Sequence, residues 1–295
     1  MFDTSKSILQ VITPNKFIAE TSILVKRDDL IDPIVSGNKW RKLKYTFQKA
    51  EQDKKDTIVT FGGAYSNHLI ATAKAGNLAG FKTVGIVRGD ELNVDSNTIM
   101  QQCTSWGMEL HFISRSEYFM KEDAAYLDDL HQQYPNSYII PEGGASYYGM
   151  IGCQEIWKEL EGQQVDSIFL AAGTGTTTAG ILMGAPEHVK VYCVPVLAGD
   201  FMRDAIKKQL TYALFDDAYV EEKMNQLVVL NDYHFGKYGK TTEELEQFIA
   251  EIKENINLPL DKIYTGKAFF ALVDSFKNGL LTSDSMCLFL HTGGL

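Results

Sequence analysis

Eight short apolar runs rich in β-branched and aromatic residues recur along the chain: TIVTFG (57–62), FKTVGIV (81–87), MELHFIS (108–114), SYIIPEG (137–143), SIFLAAG (167–173), VKVYCVPV (189–196), QLVVLN (226–231) and SMCLFLH (285–291). Between them lie stretches with helical spacing, such as SNHLIATAKAGNLAG, EDAAYLDDLHQQY, QEIWKELEG, RDAIKKQLTYALF, TEELEQFIAEIKENI and GKAFFALVDSFKN. This alternation leaves few architectures open. A parallel strand needs a crossover, and a helix supplies it. The helices then cover both sheet faces, so the strands read as continuous apolar runs. The expected fold class is α/β with mainly parallel sheets. Gly143-Gly144, between two such stretches, marks a candidate domain boundary.

Length and charge narrow the function. The 295 residues suit one large domain or two smaller ones. A net charge of −10 argues against a nucleic-acid or anionic-membrane partner, so any anion site is local. Cys103, Cys153, Cys193 and Cys287 are scattered, without a C-x-x-C pair, which predicts neither a disulfide framework nor zinc. The six histidines form no compact metal set, so no metal is expected. No apolar run reaches the ~18 residues of a membrane span, and MFDTSKSILQ does not read as a signal peptide. The expected setting is the reducing cytoplasm.

Two strands run into glycine-rich turns that open helices: IVTFGGAYSNH (58–68) and FLAAGTGTTTAGI (169–181). A helix N-terminus presents N–H groups and partial positive charge, and small residues let an anion approach. Either turn alone is equally well a tight βα connection. Together they suggest a ligand with two anionic ends. The second turn lacks the Gly-Lys-Ser/Thr ending of a nucleotide loop, and Thr178 stands where G-x-G-x-x-G needs its third glycine. The hydroxyls of Thr174, Thr176, Thr177 and Thr178 suit one phosphate monoester instead. Ser66 lies outside any G-x-S-x-G elbow, so a serine hydrolase is not expected. His68 and His291 sit at strand–loop junctions, where hydrogen-bonded histidines are commoner than catalytic ones.

The basic run SGNKWRKLKY (36–45) holds Lys39, Arg41, Lys42 and Lys44. Such runs usually mark a solvated helix face. At about 100° per residue, Trp40, Leu43 and Phe47 share one face, Arg41 points nearly away from it, and Lys39 lies at its edge. A lysine turned inward near other cations is nucleophilic. Arg41 and Lys44 are expected in solvent.

KRDDL (26–30), GNKWRKL (37–43), GG-x-x-SNH (62–68), GTGTTTAG (173–180), YTGK (264–267) and HTGG (291–294) now combine. In this order, over nearly the whole chain, they make the sequence resemble the family of D-cysteine desulfhydrase and 1-aminocyclopropane-1-carboxylate (ACC) deaminase. The resemblance implies a tryptophan synthase β-subunit-like fold of type II, with two three-layer αβα domains. Residues 1–34 and 151–295 would form the large cofactor domain and 35–150 the smaller mobile one. It implies pyridoxal 5′-phosphate, a small amino-acid substrate and a homodimer. Lys39 matches the Schiff-base lysine and Lys42 the lysine near the cofactor phosphate. Gly173, Thr174, Gly175, Thr176 and Thr177 match the phosphate cup, and Asn67 the partner of the cofactor 3′-oxygen. Ser66, with Asn67 and His68, matches the substrate-carboxylate site. Tyr264 and Tyr238 match two tyrosines at the substrate.

ACC deaminases carry glutamate after the tyrosine that Tyr264 matches, and leucine where HTGG has its threonine. Here those residues are Thr265 and Thr292. A threonine hydroxyl at the pyridine nitrogen makes a weaker electron sink than a carboxylate, which suffices for a thiolate leaving group. The expected activity is β-elimination of the D-cysteine desulfhydrase type, giving pyruvate, ammonia and sulfide. ACC deamination to 2-oxobutanoate is the alternative, and a non-catalytic cofactor-binding protein the third reading. Two departures stand out. Tyr65 replaces a glutamine common in the family and is expected to reshape the substrate pocket. The chain also stops at Leu295, where family members continue, so a shortened last segment is expected.

Overall fold

The structure is a computed structural model that describes residues 2–18, 21–35, 37–236 and 239–294. In chain order the strands are β1 (Leu9–Ile12), β2 (Ile23–Lys26), β3 (Thr57–Gly63), β4 (Lys82–Arg88), β5 (Met108–Ile113), β6 (Ser137–Ile140), β7 (Ser167–Ala172), β8 (Lys190–Pro195), β9 (Leu227–Val229) and β10 (Cys287–Leu290). The helices are α1 (Asn38–Gln52), α2 (Asn67–Ala79), α3 (Thr98–Ser105), α4 (Arg115–Tyr118), α5 (Ala124–Gln133), α6 (Tyr147–Gln154), α7 (Ile156–Glu159), α8 (Thr176–Gly184), α9 (Met202–Leu214), α10 (Asp217–Asn225), α11 (Glu243–Ile256) and α12 (Thr265–Lys277). All eight expected strands are present, within a few residues of their expected ends. The short strands β1 and β2 add to them.

The chain divides into two compact units: Phe2 with Lys39–Gly152, and Asp3–Asn38 with the residues from Cys153 onward. The first unit holds a four-stranded sheet in the order β5-β4-β3-β6, parallel throughout. Central β3 is buried along nearly its whole length, as a strand covered on both faces must be. Val59, Phe61, Val84 and Ile86 pack with Tyr118 and Leu130 beneath α4 and α5. Gly143-Gly144 lies inside this unit, in the turn between β6 and α6, rather than at its edge.

The second unit holds a six-stranded sheet in the order β1-β2-β10-β7-β8-β9. It is parallel except for the β1–β2 edge pair. Strand β7 is buried at every residue. Phe169 stacks on Tyr192 with centroids 4.3 Å apart, and Phe269 meets Phe289 edge-on at 5.0 Å. The four cysteines are buried and form no disulfide with one another, Cys103 in the first unit and Cys153, Cys193 and Cys287 in the second. Among the described residues no helix is long and apolar enough to cross a membrane.

Helix α1 departs from the expectation for its polar side. Arg41 is only 1% exposed, not solvated. A single-stripe reading assumes one covered helix face. Here α6 covers a second one, because a Cβ on Gly152 would fall 1.8 Å from the Arg41 carbonyl oxygen. Lys44 is half-buried, with its ammonium over the Tyr45 ring at 4.8 Å.

Candidate active site

Strand β7 ends at Ala172, and Gly173-Thr174-Gly175 turns the chain into α8. Gly175 is the N-cap, with φ +80°, and no side chain caps the helix. A Cβ there would also meet Ile206 Cγ1 at 2.9 Å, so only glycine fits. The first turn of α8 carries no acidic residue. The hydroxyls of Thr174 and Thr176 are 3.0 Å apart, and the Gln209 amide donates to the Thr174 carbonyl at 2.8 Å. Thr176 and Thr177 are buried. Thr178 turns inward instead and donates to Cys193 Sγ at 3.6 Å, leaving three of the four expected hydroxyls at the turn. An uncapped helix N-terminus edged with hydroxyls and free of carboxylates fits a phosphate ester.

Three other segments of the same unit converge here. Asn38 donates its side-chain amide to Thr177 Oγ1 at 2.9 Å and its backbone N–H to the Thr292 carbonyl at 3.2 Å. Gly37, at φ +57°, lies so close that a Cβ would fall 1.8 Å from that carbonyl oxygen. The Gly-Asn pair is therefore a docking element, and Lys39 follows it by one peptide bond. Tyr264 sets its ring against Gly173, where a Cβ would meet Cε1 at 3.3 Å. The Asp261 carboxylate fixes the Tyr264 backbone. It accepts from the N–H groups of Ile263, Tyr264 and Thr265 at 2.7–2.8 Å and from the Thr265 hydroxyl at 2.6 Å. Thr265 is thus bonded to Asp261, while Thr292 is buried at the end of β10.

The first unit builds the other turn. Ser66 caps α2, accepting from the Leu69 N–H at 3.3 Å. The Asn97 amide donates to the Ala64 carbonyl at 3.1 Å and holds the loop. Ser66 and Asn67 are half-buried, Tyr65 is 66% exposed, and His68 is 2% exposed. His68 Nε2 lies 2.8 Å from Thr60 Oγ1. Burial, with the Lys39 and Lys42 charges, holds its pKa well below the ordinary 6.5. Lys42 is buried and donates to the Gly143 carbonyl at 3.0 Å. The third lysine of the motifs, Lys267, is buried and donates to the His234 carbonyl at 2.7 Å. Burial lowers its pKa, and Asp261 opposes that shift.

Within the second unit the structure brings together Gly173, Thr174, Gly175, Thr176, Thr177, Tyr264 and Thr292. Within the first it groups Ser66, Asn67 and His68 at one helix start, with Lys39 and Lys42 facing His68. Tyr238 lies outside the described residues. His291 donates its Nε2–H to the Pro259 carbonyl and lies 3.5 Å from Asp29, as a structural histidine does. Sequence reasoning missed Asn38, Asn97 and Asp261. An aspartate four residues before a helix start is a recognisable turn signal, so Asp261 was findable.

Residues 10–293 match the family described as pyridoxal-phosphate dependent enzyme. A Pyrococcus furiosus protein named "Putative 1-aminocyclopropane-1-carboxylate deaminase" is 34% identical over 281 residues, which cover 92% of this chain and 84% of that one. An Arabidopsis thaliana protein named "Bifunctional D-cysteine desulfhydrase/1-aminocyclopropane-1-carboxylate deaminase, mitochondrial" is 29% identical over 303 residues, 93% of this chain and 73% of its own. The crystal structure of a protein described as "the ACC deaminase homologue" superposes with a TM-score of 0.77 at 30% identity, over 93% of this chain and 85% of that one.

Proposed function

The chain belongs to the pyridoxal-phosphate-dependent enzymes, in the group of ACC deaminase and D-cysteine desulfhydrase, and from that premise we propose that it eliminates a Cβ leaving group from a small amino acid, D-cysteine being the type substrate. When bound, the cofactor withdraws electrons from the substrate Cα through its pyridine ring. Thr174, Gly175, Thr176 and Thr177 hold the phosphate at the α8 N-terminus, with Lys42 adding positive charge. Asn67 would bond the 3′-oxygen, and Thr292 would offer its hydroxyl to the ring nitrogen. Ser66 and the α2 N-terminus take the substrate carboxylate. Lys39 would hold the cofactor aldehyde and, when free, would hold the Cα proton on Nζ. Tyr264 donates a proton to the departing sulfur. The released enamine hydrolyses to pyruvate and ammonia. The same reading includes a smaller unit that moves, and a cytoplasmic homodimer.

The pair Thr265 and Thr292 carries this reading. Thr265 stands where ACC deaminases have glutamate, and its hydroxyl is bonded to Asp261. Thr292 stands where they have leucine, and its carbonyl is fixed by Asn38. A neutral partner at the ring nitrogen leaves a modest electron sink, enough for a thiolate. Deamination of ACC is the second reading, favoured by the name of the Pyrococcus relative. One preparation assayed for kcat/KM on D-cysteine, L-cysteine and ACC decides. We expect pyruvate from a cysteine at a rate at least tenfold above 2-oxobutanoate from ACC, since one pKa unit at the ring nitrogen is about 1.4 kcal/mol. Faster turnover of ACC replaces the desulfhydrase reading with the deaminase one.

A further inference from the structure

Helix α9 lays Met202, Ile206 and Gln209 against the outside of the glycine–threonine turn. A Cβ on Gly175 would meet Ile206 Cγ1 at 2.9 Å, Met202 Sδ at 3.2 Å and Gln209 Nε2 at 3.5 Å. Gln209 is the polar member of this face. Its Nε2 donates to the Thr174 carbonyl at 2.8 Å and to the Ala205 carbonyl, one turn back on its own helix, at 3.2 Å. Both partners only accept, so the amide fits one way round: both Nε2 hydrogens are engaged, and a turned-over amide would set Oε1 against two carbonyl oxygens. Oε1 itself is buried and has no hydrogen-bond partner. What Gln209 gives the turn is therefore donation to Thr174.

That carbonyl matters because of the group bonded to it. The Thr174 carbonyl and the Gly175 N–H belong to one planar trans peptide and point in opposite directions. Drawing the carbonyl toward α9 turns the N–H away from α9. The next peptide is held by helix α8 itself, because the Ala179 N–H donates to the Gly175 carbonyl at 2.9 Å. The hold on the Thr174 carbonyl comes from Gln209 instead. Glycine takes either sign of φ at little cost, and Gly175 stands at +80°. Turning the Thr174–Gly175 peptide over would carry Gly175 to negative φ, so the backbone permits both orientations. One adds an N–H to the donors at the start of α8. The other sets a carbonyl oxygen there, which repels an anion.

We propose that Gln209 is a positioning residue for the cofactor phosphate. It holds the Thr174–Gly175 peptide so that the N–H, and not the carbonyl oxygen, is presented to the anion. This rests on the reading of the turn as the phosphate site, and the test separates the two.

The full-length chain, stripped of cofactor, is titrated with pyridoxal 5′-phosphate and with pyridoxal, which lacks the phosphate, and binding is followed by absorbance. The ratio of the two affinities reports the phosphate alone, because general loosening of the site lowers both. Gln209→Leu is expected to reduce the ratio about tenfold, the effect of one hydrogen bond to a charged group, with pyridoxal affinity held. Gln209→Glu keeps the size but sets carboxylate oxygens against two carbonyls, and should reduce the ratio further. An unchanged ratio in both variants overturns the proposal, and so does an equal loss for the two ligands. A second readout is the Gly175 amide proton. Labelling with ¹⁵N-glycine and ¹³C-carbonyl threonine selects the glycines that follow threonine. Inorganic phosphate should move the Gly175 amide proton downfield in the parent chain and not in Gln209→Leu. An equal response in both also overturns the proposal. If the parent chain binds pyridoxal as tightly as its phosphate ester, the phosphate site itself is struck, and the role of Gln209 with it.

Discussion

The two glycine-rich turns look alike in sequence and differ in how they treat their helix starts. At the start of α2, Ser66 turns back to bond the Leu69 N–H, and Asn97 ties down the Ala64 carbonyl. That turn supplies a side-chain partner for one of its helix N–H groups. At the start of α8, Gly175 caps with no side chain, and the nearby hydroxyls bond one another or Asn38. That turn gives its helix N–H groups no side-chain cap. Glycine content therefore says little about anion binding. The residue at the cap position says more, because a capping Ser, Thr, Asn or Asp takes one of the helix donors that an anion would otherwise share.

Four measurements would break or sharpen this contrast. The largest effect is expected for Gly175→Val. A β-branched residue at φ +80°, crowded by Ile206, should cost about 3 kcal/mol or more in denaturant unfolding, and cofactor should be lost on dialysis. A stable variant that keeps its cofactor would mean that the second turn is an ordinary connection. Next, Thr177→Leu removes the acceptor of Asn38 and crowds the anion. We expect cofactor affinity, read by absorbance titration, to fall about tenfold to hundredfold, equivalent to about 1.4–2.8 kcal/mol. Unchanged affinity would put the phosphate elsewhere.

The third measurement concerns pH. His68 is held neutral by burial and by the Lys39 and Lys42 charges, so its native pKa lies below the ordinary 6.5. Below pH 6.5 the unfolded chain takes up a proton that the native state refuses. Stability from this residue is full above pH 6.5 and declines as the pH falls, by up to about 1.4 kcal/mol per pH unit. Urea midpoints between pH 7 and pH 5 should show a shallower decline for His68→Asn than for the parent chain. Equal slopes would show that His68 does not titrate differently on folding. The smallest effect is expected for Ser66→Ala. It removes a cap worth about 1 kcal/mol and should raise KM for the amino acid while cofactor affinity holds. A loss of cofactor affinity instead would erase the functional difference between the turns.

Much of the architecture was legible because it is written in local runs. Strands β3 to β10 are β-rich and apolar, and five of the six helical stretches named from the sequence match helices to within two residues at each end. Stretch 154–162 is the exception, split between α6 and the short α7. Strands β1 and β2 escaped notice because each is four residues long, and edge strand β1 is only partly buried. Helix α6, YYGMIGCQ, carries two glycines and no amphipathic pattern, so nothing local announces it. The glycine–threonine turn could be read, but its lack of a cap could not. The Asn38–Thr177 bond joins residues 139 positions apart, beyond any spacing rule. Arg41 was misjudged for the same reason: the helix that covers it comes from far along the chain. The Gln209–Thr174 bond spans 35 positions and is likewise invisible to sequence.

The placement of the cysteines bears on how such a protein would live with its own chemistry. Burial pushes the thiols of Cys103 and Cys193 up to about 12 and that of Cys287 up to about 11, and Cys153 is buried as completely. Thiols of that kind stay protonated and screened, so they neither exchange with a thiolate nor accept sulfur. An enzyme that splits cysteine, as proposed, works in a local excess of thiol substrate and sulfide product. Its own thiols are buried, out of reach of both, and product tolerance comes from packing with no protective group at the surface.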